Sequence, residues 1–512
     1  MAEKKLFLFN EGVLKIETYP LWMLKLLLVT VLYFSVAATI LAHPAQRTDT
    51  TPPSWMRHAI IYGIKPSGFT DHSSYDNITA KIPELKELGI NTIWLQPVFK
   101  TARGGQGYDI TDYFSLRDDL GNEQQLKNLI STAHQLHIKV LFDFVPNHTS
   151  IRHPFAQDII KKRKSSPYYD YYQHENDGAP YSSNYHKDSS GFIFYFWKDL
   201  INLNYNNPEV RKMITDACKY WIQEFDIDGY RFDAVWAVNA RAPEFGKHLR
   251  KELKALKPGI LMLAEDKGSD SNVYAEGFDA AYDWTSDTNW ISHWPWQYRH
   301  HARKNFTIFN HPSVDKRYNL IREALFARQP NPERVLRFME NNDVPRFAAT
   351  HSLAQTKMAA ALLFALPGIP LIYNGQETGV KTHPYSRPPI FSSAHSIKEQ
   401  DSLGLFSLYK KLTALRLKYA SLTSANYKEL KTEGPAVAFH RWEGNEHLFI
   451  VINPDSLAAG VNIQPGIKTA IVRDELDGTV FTACESNSIK ITVEGYGVRW
   501  LLAEKKKLKI AR

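Results

Sequence analysis

Apolar runs recur along this chain and alternate with amphipathic segments. From residue 58 the runs are HAIIYGI (58–64), INTIWLQPVF (90–99), IKVLFDFV (138–145), IDGYRFDAV (227–235), ILMLAED (260–266), FDAAYDW (278–284), VLRFMENND (335–343) and IPLIYNGQE (369–377). Between them lie stretches such as AKIPELKELG, EQQLKNLISTAHQLH and PEVRKMITDACKYWIQEF, whose apolar residues repeat at helical spacing. Near-continuous apolar strands alternating with helices predict a parallel sheet, and eight such units predict an α/β fold, a (β/α)8 TIM barrel.

Two regions break the rhythm. Residues from about 149 to 207 separate the third and fourth runs and are rich in Tyr, Ser, His, Asp and Asn. A connection of that length predicts an inserted loop subdomain after strand 3, walling one side of a cleft. From residue 425 the pattern shortens to alternating strands with turn signals, as in AVAFHRWEG, EHLFIVINPD and SIKITVEGYGVRWLLA. These predict a C-terminal antiparallel β-sandwich over 425–512, leaving 43–424 for the barrel.

The N-terminus has another character. Lys25 is followed by LLLVTVLYFSVAATILA, an uncharged run ending at Ala42, and then by polar HPAQRTDTTPPS. The run is short for a membrane span and ends in small residues, so residues 1–42 are expected to be a signal peptide. Translation from Met23 would give an ordinary one. The expectation is export to the periplasm or medium, with no stable membrane association after cleavage. The competing reading is a retained N-terminal anchor.

Composition changes the picture little. The chain has 512 residues, 44% hydrophobic and 23% charged, which is globular. The formal net charge of +8 is partly clustered in KKRK (Lys161–Lys164) and in the C-terminal EKKKLKIAR. No nucleic-acid motif accompanies these runs, so they read as solvated surface and no nucleic-acid partner is expected. Cys218 and Cys484 have no metal or redox spacing, and Cys218 is expected to be a buried free thiol. The 12 Trp, 26 Tyr and 27 Phe mostly supply core, and some could line a sugar cleft.

Polar residues recur where the runs end: Asp143, Asp233, Glu265, Asp343 and Gln376. In a barrel that end carries the active site. Within DGYRFDAVWAV, Arg231 and Asp233 are two apart, so on a strand they share one face. The arginine would hold Asp233 ionised by direct charge interaction. Glu265 follows ILMLA, whose apolar surroundings would raise its pKa and suit it to donate a proton. A third carboxylate could stabilise positive charge in a transition state. Those roles are what retaining glycosidic hydrolysis requires.

The segments DFVPNH (Asp143–His148), GYRFDAV (Gly229–Val235), LAED (Leu263–Asp266) and FMENND (Phe338–Asp343) resemble, in order, the four signature regions of the α-amylase family of glycoside hydrolases. GQGYDITDY, INLNYNNPEV and GIPLIYNGQE resemble further segments of that family, and the likeness covers about residues 58–505. The resemblance implies Asp233 as nucleophile, Glu265 as general acid/base and Asp343 as the transition-state-stabilising carboxylate. It implies that Arg231 orients Asp233, that Tyr108 stacks on the sugar, that His148 binds its hydroxyls and that Asp143 supports Arg231. The implied substrate is a starch-like α-1,4-glucan or a maltooligosaccharide. No cofactor is required.

The chain also departs from the family. Asn342 stands where His usually precedes the last Asp, so a neutral amide faces the substrate. AVWAVN follows Asp233 in place of the common Lys-His pair, whose His often lends its carbonyl to a structural calcium. The usual calcium ligands are thus only partly present, and metal binding stays an open expectation. Gly105 stands where exo-acting relatives often carry Asp, which points to an endo-type cleft. Two other readings stay open: a glycosyl-transferring member of the family, and a non-catalytic, membrane-anchored amylase-like accessory subunit.

Overall fold

The computed structural model describes residues 51–102, 106–174, 186–188, 191–195, 197–283, 308–326, 330–386, 389–484 and 487–504. The N-terminal apolar run and Gly105 lie outside the described residues. Among the described residues no helix is long and apolar enough to cross a membrane.

The eight apolar runs form a closed parallel barrel. Its strands are β1 (Ile61–Ile64), β2 (Thr92–Leu95), β3 (Lys139–Phe144), β4 (Gly229–Phe232), β5 (Leu261–Lys267), β6 (Ala280–Tyr282), β7 (Val335–Arg337) and β8 (Ile369–Tyr373). Each pairs with its neighbours in sequence, and β8 closes on β1 through Ile61 opposite Leu371. The flanking helices form where the periodicity predicted them, at Tyr75–Leu88, Glu123–Gln135 and Pro208–Phe225. Ser74, Asn122 and Asn207 cap their N-termini by accepting backbone N–H bonds.

Strand parity decides what faces the barrel axis. Ile61, Trp94, Leu141, Leu261, Leu263 and Leu371 pack together as one interior cluster. Gly229 lies opposite Leu141 and Leu261, and a Cβ there would meet Leu141 Cδ2 at 2.6 Å. Asp143, Arg231 and Glu265 carry the same parity two or four residues further along. They therefore continue the inward row at the mouth, with Arg231 directly opposite Asp143 and Leu263.

The runs extend beyond the strands they contain. β4 ends at Phe232 instead of continuing through Val235. Asp233 still donates its N–H to Phe144 O at 2.7 Å, but Ala234 turns left-handed at φ 44° and a helix, Val235–Arg241, begins. A left-handed non-glycine residue costs about 1–2 kcal/mol. Asp343 does not lie at a strand end: β7 stops at Arg337 and Asp343 follows in the loop, positioned by its N–H bond to Asn341 Oδ1.

The insertion after β3 starts as a small antiparallel pair, His148–Ser150 with Leu200–Asn202, and carries the helix Pro154–Lys162. Lys161–Lys164 are solvent-exposed there, and Cys218 is a buried free thiol.

The C-terminal strands form a six-stranded and a three-stranded antiparallel sheet, the expected sandwich. The larger sheet is buried on both faces. Phe439, Ile450 and Trp500 join the main core of the barrel and its helices, whereas Phe449, Val451 and Leu501 pack against Val461, Ile489 and Ile491 of the smaller sheet. Between sheet and barrel lies Arg441, fully buried. It donates to the carbonyls of Ala365 (2.6 Å), Leu422 (3.1 Å), Ser424 (2.6 Å) and Asn426 (3.1 Å). Arg416 donates to Phe364 O and Leu366 O at 2.7 and 2.9 Å. Two cations thus meet the last carbonyls of the helix Leu353–Ala365, where orphan acceptors and the negative end of the helix dipole converge. Arg441→Met should leave these carbonyls unsatisfied and destabilise the protein by about 3 kcal/mol or more. Thermal unfolding checks this, and an unchanged Tm would show that the sheet docks without this cation.

Candidate active site

Arg231 is the centre of the site. It is fully buried at the barrel mouth, and its guanidinium contacts three carboxylates. Nη1 lies 2.8 Å from Asp143 Oδ1 and 2.7 Å from Asp233 Oδ1, and Nη2 lies 2.9 Å from Glu265 Oε1. Nε donates to the Tyr282 hydroxyl at 3.0 Å. The guanidinium carbon is 5.2 Å from the Trp94 ring centre and 5.4 Å from that of Tyr282, within cation–π reach.

Asp143 is held on its other oxygen as well. Trp94 Nε1 donates to Oδ2 at 3.2 Å and the Tyr108 hydroxyl at 2.9 Å. Burial pushes the Asp143 carboxyl up to about 7, against the opposing pull of Arg231. Tyr108 reaches this place because Gly107 precedes it at φ +93°, where a Cβ would stand 2.9 Å from Pro97 O. The Tyr108 ring is half-buried, and its hydroxyl also receives a bond from Asn342 Nδ2 at 3.3 Å.

Glu265 belongs to β5, and its Oε2 accepts the N–H of Ala234, the residue after Asp233. The turn that ends β4 therefore aims one carboxylate and anchors another. Burial raises the Glu265 carboxyl well above the ordinary range, Arg231 opposes this, and Asp233 and Asp343 add to it. Burial, as ILMLA implied, is thus the main cause, and charged neighbours add to the environment. Burial also raises Asp343, with Asp233 adding to the rise and the Tyr385 hydroxyl and Arg231 opposing it. Three carboxylates contact one guanidinium and Asp343 stands close by, so each ionised carboxylate disfavours ionisation of its neighbours.

Asp233 is the most open of the three carboxylates on Arg231, with 13% of its side chain exposed. That leaves it accessible from the mouth. His148 has both ring nitrogens engaged. Nε2 donates to Tyr108 O at 3.2 Å, and Nδ1 accepts from Asn147 Nδ2 at 3.1 Å. Burial lowers its pKa, which suits the neutral ring this pattern needs. A sugar hydroxyl would compete with the Tyr108 carbonyl for Nε2. Asn342 Oδ1 is buried with no hydrogen-bond partner, an acceptor that a sugar hydroxyl could satisfy.

Three residues of the site were not legible in the sequence. Trp94 and Tyr282 sit in strands as ordinary apolar positions, and nothing separates them from core aromatics. Tyr385 comes from the segment after β8, and its hydroxyl donates to Asp343 Oδ1. Its distance along the chain hides it.

Among the described residues no group of three or more His, Cys, Asp or Glu side chains is placed to hold a metal. At the junction after Asp233, AVWAVN lacks the His whose carbonyl often serves a structural calcium in the family it resembles. The segment there is the helix Val235–Arg241, and its arginine already donates to Asn147 Oδ1 at 2.9 Å.

Comparison with known proteins bears on the family. Residues 64–402 match the model of the alpha amylase catalytic domain. Alpha-amylase 3 of Dictyoglomus thermophilum is 25% identical over 453 residues, spanning 81% of this chain and 88% of its own. A cyclomaltodextrinase of Thermoanaerobacter pseudethanolicus is 27% identical over 432 residues, spanning 79% of this chain and 71% of its own. The crystal structure of an alpha-amylase from Geobacillus thermoleovorans, complexed with acarbose, shares the fold with a TM-score of 0.71 at 24% identity, covering 88% of this chain and 99% of that one. Barrel, clustered carboxylates and matched domain together place this chain in the alpha-amylase family of glycoside hydrolases.

Proposed function

We propose that the protein cleaves α-1,4-glucosidic bonds of starch-like glucans or maltooligosaccharides with retention, through a covalent glycosyl–Asp233 intermediate. The observation that carries this reading is the single guanidinium of Arg231 holding Asp233 and Glu265 at the barrel mouth. Asp233 Oδ2 is free of Arg231 and attacks the anomeric carbon. Glu265, whose pKa burial raises, gives a proton to the leaving oxygen and then takes one from water. Asp343 faces the developing positive charge. Tyr108 offers its ring face to the sugar, and Asn342 Oδ1 takes a hydroxyl. The relatives' names, alpha-amylase and cyclomaltodextrinase, support an α-glucan or cyclodextrin substrate. An endo-acting cleft remains part of the proposal, resting on Gly105 alone. So does export, which rests on residues 26–42; the N-terminal sequence of the mature protein tests it.

Product analysis over time tests the reaction. The protein from His43 onward is incubated with soluble starch, maltooligosaccharides, pullulan and cyclodextrins. Early mixed maltooligosaccharides from starch are expected, with the α-anomer formed first. Products longer than the starting oligosaccharide would show transfer instead, and β-anomeric products would exclude the covalent route. Asp233→Asn should lower kcat by about 10⁴-fold or more while leaving Tm near that of the parent, and near-parental turnover would overturn its role.

The pH dependence follows from Glu265. Its folded pKa is raised, so the acid form is present below that value and activity is lost as pH rises through it. The alkaline limb of kcat/KM should therefore stand above the ordinary carboxylate range. Glu265→Gln should lose about 10²–10⁴-fold on maltooligosaccharides. On an aryl maltoside with a good leaving group, which needs no proton, it should lose far less in bond cleavage and should lack that limb. A limb that persists in the variant would belong to another group.

A further inference from the structure

The helix that follows Asp233 ends in an arginine that turns back toward the barrel mouth. Arg241 Nη2 donates to Asn147 Oδ1 at 2.9 Å, and Nη1 donates to the Tyr195 hydroxyl at 3.1 Å. The guanidinium carbon lies 5.6 Å from the Tyr195 ring centre. Tyr195 in turn packs against Trp236 of the same helix, with ring centres 5.2 Å apart. One cation therefore joins three stretches distant in sequence: the end of β3, the insertion, and the turn beyond Asp233.

We infer that the Arg241 guanidinium is a resident structural cation that fastens the insertion to the barrel mouth, so that this protein keeps its cleft assembled without calcium. Calcium needs six to eight oxygen ligands at 2.3–2.6 Å. Asn147 Oδ1 is a buried side-chain oxygen at this junction, and a guanidinium already occupies its approach. A divalent ion on the same oxygen would stand beside a fixed positive charge, with the repulsion strengthened by burial. The guanidinium suits the place in a way an ion does not. Its planar N–H groups meet two neutral acceptors from different segments, while its face lies within reach of an aromatic ring.

The contact also reaches the chemistry. Asn147, bound by Arg241, donates from Nδ2 to His148 Nδ1 at 3.1 Å and to Asn202 Oδ1 at 3.3 Å. His148 in turn bonds the Tyr108 carbonyl. Arg241 thus sets the orientation of a side chain two bonds removed from the sugar-facing tyrosine, without touching substrate itself.

The test needs first only the parent protein. After dialysis against EGTA, its calcium content is measured by mass spectrometry, and its thermal unfolding is followed with EGTA and with millimolar calcium chloride. The expected result is calcium well below one ion per chain and one Tm in both conditions. Calcium retained near one per chain, with a Tm that falls when it is stripped, would overturn the inference. Arg241→Met is expected to lower Tm and to raise KM for maltooligosaccharides more than it lowers kcat. Arg241→Lys, which keeps the charge but not the planar pair of donors, should fall between. A folded Arg241→Met protein with parental Tm and KM would equally overturn it. Should that variant not fold, the calcium measurements on the parent decide alone.

Discussion

A fully buried arginine surrounded by carboxylates is the constraint on which the rest of this molecule depends. Taking a guanidinium out of water is expensive, and removing its partners would leave an uncompensated buried charge. Arg231 is tolerated because Asp143 stands directly opposite on β3, Glu265 on β5 and Asp233 just past the end of its own strand. Conversely, these carboxylates stay clustered because the arginine is there. The barrel makes the arrangement obligatory, since adjacent parallel strands in register bring the inward rows together at the mouth.

The two ends of the barrel treat carboxylates differently. Near the start of β3 and β4, burial would raise Asp228, but hydrogen bonds from His134 at 2.7 Å and Lys139 at 2.9 Å hold it down at about 2. That group is saturated with protein partners and serves to tie strands and helices. At the mouth, the carboxyls outnumber their cation. Glu265 and Asp343 are pushed upward, and one residue, Asp233, remains partly open. A site with more carboxyls than counter-charges is poised for proton transfer, whereas a balanced one is only adhesive.

Arginine recurs as a structural device elsewhere in the chain. Arg416 and Arg441 meet helix carbonyls beneath the C-terminal sheet, and Arg241 spans three segments beside the cleft. In each case a planar donor array satisfies two or more neutral oxygens at once. The large antiparallel sheet, buried on both faces, is thereby fixed to the barrel instead of hanging from a linker.

The amino-acid sequence by itself determined the barrel, the two departures from its rhythm and the carboxylates of the site. Those are properties of period and order. Apolar runs with amphipathic spacers admit one parallel closure, and Asp143, Arg231 and Glu265 share a parity that follows from spacing within each strand. What tertiary structure alone decided are contacts between segments far apart: Tyr385 on Asp343, Trp94 and Tyr282 around Arg231, and Arg241 on Asn147. It also decided that β4 stops at Phe232, because a left-handed Ala234 whose N–H serves Glu265 has no local signature in an apolar run. Periodicity reports which face of an element is buried. It carries no information about which side chain from another element will meet that face, and at this mouth those meetings set the charges.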